Sequence, residues 1–195
     1  MIDYNLLACA RNYYAGLDYT YVDLPWEVPY KYLEITKPNG ANPIVTNLNY
    51  IKDSYLVGSA EQAFLQYIDQ HDIQTPDLKL MSITPCFRDE KNINEFTKPY
   101  FMKLELFVAN PRYPDSMIEE VSDDAFSFLS DQGLTLEFTK IDKDSFDILC
   151  NLGKETTQVE LGSYGYRKYF GLRWIYGTGL AEPRTTLCIT KSGMS

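Results

Sequence analysis

Cys86-Phe87-Arg88-Asp89-Glu90, a polar stretch over 91–98, and then Pro99-Tyr100-Phe101-Met102-Lys103-Leu104-Glu105 make up the part of the sequence whose reading decides the fold. Residues 80–90 and 101–108 both carry strand patterning with no helical period between them, so they are expected to pair as a hairpin with a long tip. Alternation sorts the second strand onto two faces, with Met102, Leu104, Leu106 and Val108 on one and Phe101, Lys103, Glu105 and Phe107 on the other. Cys86, Arg88 and Glu90 share one parity on the partner strand. An arginine, two carboxylates and an aromatic ring are thereby placed on one side of a sheet. A guanidinium there can hold a phosphate or carboxylate through two parallel hydrogen bonds, and an aromatic face can stack a purine. The same residues also read as a solvated face with Glu–Arg pairs across strands.

Outward from the hairpin, further strands are expected at 19–24, 32–36, 134–141, 159–163 and 172–176. Three helices follow from apolar residues at helical spacing: Leu6, Leu7, Ala10, Tyr13 and Tyr14 before Gly16; Ala60, Ala63, Phe64, Tyr67 and Ile68; Ile118, Val121, Ala125, Phe128 and Leu129 before Gly133. Ser59-Ala60-Glu61-Gln62 and Ser116-Met117-Ile118-Glu119 have capping-box form and are expected to start the second and third. Turns are expected at Lys37-Pro38-Asn39-Gly40 and at Asn110-Pro111-Arg112-Tyr113-Pro114. Consecutive strands without intervening helices favour an α+β fold, a mainly antiparallel sheet flanked by helices, over a doubly wound one. Neither Gly-x-x-x-x-Gly-Lys-Ser/Thr nor Gly-x-Gly-x-x-Gly occurs.

The 195 residues, with no repeat or linker, are expected to form a single domain, 1–195. With 45% hydrophobic and 23% charged residues the chain can bury a core. Its 18 Lys and Arg stand against 27 Asp and Glu, and the net charge of -9 disfavours a broad nucleic-acid surface. No basic start with an apolar run and no membrane-length apolar stretch is present, so a soluble, cytoplasmic protein is expected. Cys9, Cys86, Cys150 and Cys188 form no Cys-x-x-Cys pair and read as reduced, mostly buried thiols. With His71 the one histidine, zinc sites and a Ser-His-Asp triad have little to build on.

The hairpin resembles the second motif of class II aminoacyl-tRNA synthetase catalytic cores. Gly177-Thr178-Gly179-Leu180-Ala181-Glu182-Pro183-Arg184 is similar to their third motif, a glycine-bearing strand running into a helix with an arginine in its first turn. Gly16-Leu17-Asp18-Tyr19-Thr20-Tyr21-Val22-Asp23-Leu24-Pro25, after the first helix, looks like their first motif. The three lie in family order and cover nearly the whole chain. The resemblance implies ATP-dependent activation of an amino-acid carboxylate as an aminoacyl adenylate, in a homodimer formed near Pro25. No tRNA anticodon-binding domain is expected in these residues, so tRNA recognition would require another subunit.

The resemblance also implies roles for single residues. Arg88 would hold the α-phosphate and the amino-acid carboxylate, Phe101 would stack on adenine, and Arg184 would cover the base's other face near the γ-phosphate. Glu90 would meet the adenine edge, and Gly177 and Gly179 would let the backbone approach the nucleotide, although either also reads as a bulge. Glu61 would receive the substrate ammonium, or else serve as a first-turn glutamate favoured by the helix dipole. Val159-Glu160-Leu161-Gly162-Ser163-Tyr164-Gly165-Tyr166-Arg167 is similar to a segment of aspartyl-tRNA synthetase and asparagine synthetase A, which implies Glu160, with Glu105, as a magnesium ligand. It implies Arg167, with Arg173 as a rival, as the selector of an acidic side chain. Aspartate with ammonia as acceptor is the leading implied substrate pair. A small molecule, carrier or protein acceptor, and a non-catalytic accessory protein, are the alternatives. Third-motif details also look seryl-like, and Lys91 or Lys98 would replace the family's usual tip cation.

Overall fold

The computed structural model describes residues 1–37, 42, 44, 54–153 and 158–193. Apart from Lys37, the turn expected at Lys37-Pro38-Asn39-Gly40 lies outside the described residues. In chain order the elements are α1 (Tyr4–Ala15), β1 (Thr20–Tyr21), β2 (Glu27–Pro29), α2 (Tyr30–Thr36), β3 (Ser54–Leu56), α3 (Ala60–Gln70), β4 (Leu78–Phe87), β5 (Tyr100–Ala109), α4 (Pro114–Ser130), β6 (Leu136–Asp142), β7 (Ser145–Asn151), β8 (Gln158–Tyr169), β9 (Leu172–Glu182) and α5 (Arg184–Ser192). Among the described residues one seven-stranded sheet runs in the order β1-β4-β5-β9-β8-β7-β6, and β2 and β3 form a separate ribbon. Every pairing is antiparallel except β1 with β4. The expected α+β class and its mainly antiparallel sheet are therefore present.

The expected hairpin is the pairing of β4 with β5, in which Cys86 lies opposite Phe101 and Ser82 opposite Glu105. Both faces of these strands are covered, which explains their nearly continuous apolar run. Leu104, Leu106 and Val108 pack with Leu7, Ala10 and Tyr14 of α1, Val121 and Ala125 of α4 and Cys188 of α5. On the opposite face Phe107 and Ala109 pack with Ala63, Phe64 and Ile68 of α3 and Leu33 of α2. Phe64 stacks on Phe107 with centroids 4.8 Å apart, and Phe107 stacks on Trp174 at 6.4 Å.

Several local expectations are corrected. Residues 32–36, with Ile35 and Thr36 suggesting a strand, belong to α2, because burying Tyr32 and Leu33 against α3 overrides β propensity. Strand β4 ends at Phe87 rather than Glu90. Arg88 N–H still donates to the Pro99 carbonyl at 2.8 Å, but Pro99 has no N–H to return the bond, so the ladder stops. Helix α4 starts at Pro114, two residues before Ser116, whose hydroxyl instead donates to the Tyr113 carbonyl; proline at the first helical position sets the start. At α3 the Ser59 hydroxyl accepts from the Glu61 N–H, while the Gln62 side chain accepts from Gly58 N–H rather than from Ser59. Asp3 caps α1 by accepting from the Asn5 and Leu6 amides at 2.9 and 3.0 Å.

Gly177 and Gly179 do not approach the cleft face. A β-carbon on Gly177 would lie 2.8 Å from Val121 of α4 and 2.9 Å from the Tyr164 ring. One on Gly179 would lie 2.6 Å from Leu104 and 2.8 Å from the Tyr14 ring. Gly179 also sits where the β5–β9 register shifts, since Glu105 pairs with Thr178 and Leu104 with Leu180. The two glycines thus make room for tyrosines in the core, and the Tyr14 hydroxyl donates to the Gly179 carbonyl at 2.8 Å. Gly179→Ala should destabilise the protein by about 1–3 kcal/mol through overpacking. Gly58→Ala, whose added carbon meets nothing closer than 3.5 Å, should change stability by under about 0.5 kcal/mol. Urea unfolding of both variants checks the contrast.

Candidate functional site

A cleft of about 370 Å³ opens on the α3 side of the sheet, between the first turn of α3, the end of α2 and strands β5, β8 and β9. Among the residues lining it are Glu61, Arg88, Glu90, Glu105 and Arg167, five of the residues singled out in the sequence. Among the described residues four carboxylates and four cations line it, counting Asp89, Lys37 and Lys103 with those five.

Glu105 points from β5 into the start of α3 and is buried. It accepts from Lys103 Nζ at 2.5 Å, from Ser59 Oγ at 2.7 Å and from the Ala60 N–H. A buried carboxylate here does what a capping residue does, satisfying an α3 amide that has no partner within the helix. Burial alone would raise its pKa, but the Lys103 ammonium and the bonds from Ser59 and Ala60 outweigh burial and hold it below the ordinary value. These contacts occupy the oxygens expected to bind magnesium.

One residue after Ala60, Glu61 is also buried, and its carboxylate meets Arg167 of β8. Arg167 Nη1 donates to both carboxylate oxygens, at 3.2 and 3.0 Å, and the Trp174 indole N–H donates to one of them at 2.6 Å. Burial pushes the Glu61 carboxyl above its ordinary value despite the opposing pull of Arg167 and Trp174. The Arg167 guanidinium lies 4.4 Å from the Tyr176 ring centroid. The residues expected to bind the ammonium and an acidic side chain are thus paired with each other. Arg173, the rival to Arg167, is exposed and pairs in the sheet with Lys168.

Arg88, just beyond β4, is exposed; its Nε donates to the Gly58 carbonyl at 3.2 Å and its guanidinium lies 5.0 Å from the Phe101 ring centroid. Arg184 and Glu160 form a separate group near the start of β8, where α5 begins. Arg184 donates from Nε to the Phe96 carbonyl at 3.1 Å and from Nη1 to the Glu160 carbonyl at 2.8 Å, and lies 3.8 Å from the half-exposed Glu160 carboxylate. Lys191 adds an ion pair with Glu95 at 2.8 Å, so the hairpin tip is tied to α5 at two points. Lys91 is exposed and Lys98 half-buried in that tip.

Among the described residues no group of three His, Cys, Asp or Glu is arranged to hold a metal ion. His71 ends α3, its Nδ1 2.8 Å from the Tyr67 carbonyl. All four cysteines are free, three of them buried and Cys9 exposed. No helix among the described residues is long and apolar enough to cross a membrane.

Sequence reasoning missed Trp174, Tyr176 and Lys103 as parts of the site. Trp174 and Tyr176 alternate with Arg173 on one strand, and that parity was the available signal. Gly165 lies opposite Tyr176, and a β-carbon there would come within 2.5 Å of its hydroxyl. The glycine therefore lets the ring lie across β8 beside Arg167.

No protein-family model and no curated protein sequence matches the chain. Solved structures do. A cytoplasmic serine-tRNA ligase from Naegleria fowleri in complex with AMP superposes with a TM-score of 0.78 at 16% identity, over 96% of this chain and 53% of that one. The fold is that of a class II aminoacyl-tRNA synthetase catalytic core. A seryl-tRNA synthetase from Pyrococcus horikoshii complexed with ATP gives the same TM-score and identity, over 96% of this chain and 50% of that one. The chain thus spans about half the length of these class II structures.

Because the folded-state pKa of Glu105 is depressed, its stabilising contribution is complete above the ordinary glutamate value of 4.5 and is lost as pH falls through the folded value. Glu105→Gln should cost about 1.5–3 kcal/mol at pH 7, as charged hydrogen bonds are lost. The gap between wild type and variant should narrow below pH 4.5. Urea unfolding from pH 3 to pH 7 measures it.

Proposed function

We propose that this chain activates the carboxylate of an amino acid with ATP, forming an aminoacyl adenylate and releasing pyrophosphate. The observation that carries the reading is the Arg88 guanidinium, which lines the cleft, 5.0 Å from the centroid of the neighbouring Phe101 ring, on a class II core whose solved counterparts include complexes with AMP and ATP. A cation and an aromatic face side by side suit a phosphate and the base attached to it. Arg88 would bind the α-phosphate and the attacking carboxylate, spreading the charge that grows as oxygen meets phosphorus. Phe101 would stack on adenine and Glu90 would meet its edge. Arg184 would reach the base or the γ-phosphate once a nucleotide competes with the Phe96 carbonyl.

The residues do not fit a resident magnesium, since Glu105 is occupied and Glu160 stands beside Arg184. Magnesium enters this reading only as the counter-ion of ATP, with Glu160, beside Arg184, as the carboxylate the resemblance assigns to it. Aspartate with ammonia as acceptor draws no support from the geometry, because the guanidinium it would need is bonded to Glu61. The occupied state of Arg184, Glu105 and Arg167 favours one second reading, a nucleotide-binding accessory protein without chemistry. Assembly as a two-fold dimer through α1 and the segment to Pro25 belongs to the proposal too; Pro25 and Trp26 are exposed there, and Arg11 lies 4.1 Å from the Tyr21 ring centroid.

ATP should bind at millimolar concentration with magnesium present, and an amino acid should drive pyrophosphate exchange. Arg88→Ala should weaken ATP binding by about 10- to 150-fold, the equivalent of losing about 1.5–3 kcal/mol of charged hydrogen bonding. ATP binding without exchange for any amino acid would select the accessory reading, and no ATP binding would end both. Light scattering at tens of micromolar should give twice the chain mass; a monomer would remove the dimer.

A further inference from the structure

The Glu61–Arg167 pair closes one end of the cleft, and each partner is fastened by a neighbour that does not titrate near neutrality. Trp174, directly opposite Arg167 in the β8–β9 pairing, donates its indole N–H to Glu61 at 2.6 Å. Tyr176 carries the Arg167 guanidinium over its ring, and its own placement depends on Gly165 lacking a side chain. Among the described residues, Glu105 and Lys103 of β5 also face Glu61, and they satisfy each other at 2.5 Å. The four side chains Glu61, Arg167, Glu105 and Lys103 together carry no net charge.

We propose that the Glu61–Arg167 pair, with Trp174 and Tyr176 as positioning residues, is a charge-neutral wall that selects amino acids with uncharged side chains and rejects acidic and basic ones alike. The inference rests on the reading of this cleft as an amino-acid site. An acidic side chain brings a second carboxylate to one guanidinium, and whichever carboxylate loses is left buried and unpaired. A basic side chain brings a second cation to Glu61, whose two oxygens already accept from Arg167 and Trp174, so two cations compete for one buried carboxylate. An uncharged side chain leaves the pair intact. Selection therefore comes from a penalty on the wrong substrates rather than from a contact unique to the right one.

Asparagine and aspartate have the same shape, so their comparison isolates charge. Calorimetric titration of the full chain, with a non-hydrolysable ATP analogue present, should find asparagine bound at least about tenfold more tightly than aspartate, and methionine likewise over lysine. Glu61→Gln frees the guanidinium and should bring aspartate level with asparagine or ahead of it. Arg167→Gln should do the same for lysine against methionine. Trp174→Phe keeps the ring, removes the N–H donor and should narrow both ratios. The wild-type comparisons need no variant to fold. Aspartate bound as tightly as asparagine by wild type, or folded Glu61→Gln with an unchanged ratio, would overturn the inference. The expected ratios without pyrophosphate exchange would keep the wall and end the adenylate reading; no amino-acid binding at all would end both.

Discussion

Two carboxylates, Glu61 and Glu105, are withdrawn from water around the first turn of one helix, and neither can stay ionised there without a cation and hydrogen bonds of its own. Lys103 answers Glu105 from the same strand, and Arg167 answers Glu61 from β8. That requirement fixes the start of α3 over the sheet at the height of one side chain. The cleft is the space left once both pairs are made. Its walls are held by ionic and hydrogen-bonded contacts, whereas the rest of α3 is held by apolar ones such as Phe64 on Phe107. Truncating Lys103 or Arg167 leaves a buried carboxylate without its cation, which costs far more than the pair contributes while intact.

The remainder of the sheet obeys a packing rule. Central strands β5 and β9 are covered on both faces, so a large side chain on one element needs a small one opposite. Tyr14 and Tyr164 fill the α1 and α4 side because Gly177 and Gly179 leave room, and Tyr176 lies flat on the other side because of Gly165. These glycines look alike along the chain. They face different layers, and only the last one serves the cleft.

The hairpin at the centre was legible because Met102, Leu104, Leu106 and Val108 alternate with Lys103, Glu105 and Phe107 over a full strand. Helices α1, α3 and α4 were legible from their apolar stripes. Ribbon strands β2 and β3, three residues each, are too short to show a period, β7 carries a mixed pattern, and α2 was hidden by β-branched residues whose neighbours are distant in sequence. The family resemblance singled out Glu61, Arg88, Glu90, Glu105 and Arg167 one by one, and the fold brings them to one cleft. Which charge meets which was not legible, since Glu61 and Arg167 stand 106 residues apart. Gly177 and Gly179 were read toward a ligand because a residue without a side chain says nothing about the face it presents.

The hairpin tip, residues 91–98, is folded back on itself and on α5 by bonds within the chain. Asn94 accepts from the Phe96 and Thr97 amides at 2.8 and 2.9 Å, Arg184 holds the Phe96 carbonyl, and Lys191 holds Glu95. Ordering a free loop of this length on a nucleotide would subtract from affinity, and here that loss of freedom is already borne by folding. Under the proposed reading, a nucleotide would meet a shaped tip whose outer clasp is an exposed ion pair. Such a clasp is screened by salt and an internal carbonyl bond is not, so rising ionic strength would loosen the tip at Lys191 first while Arg184 kept its grip.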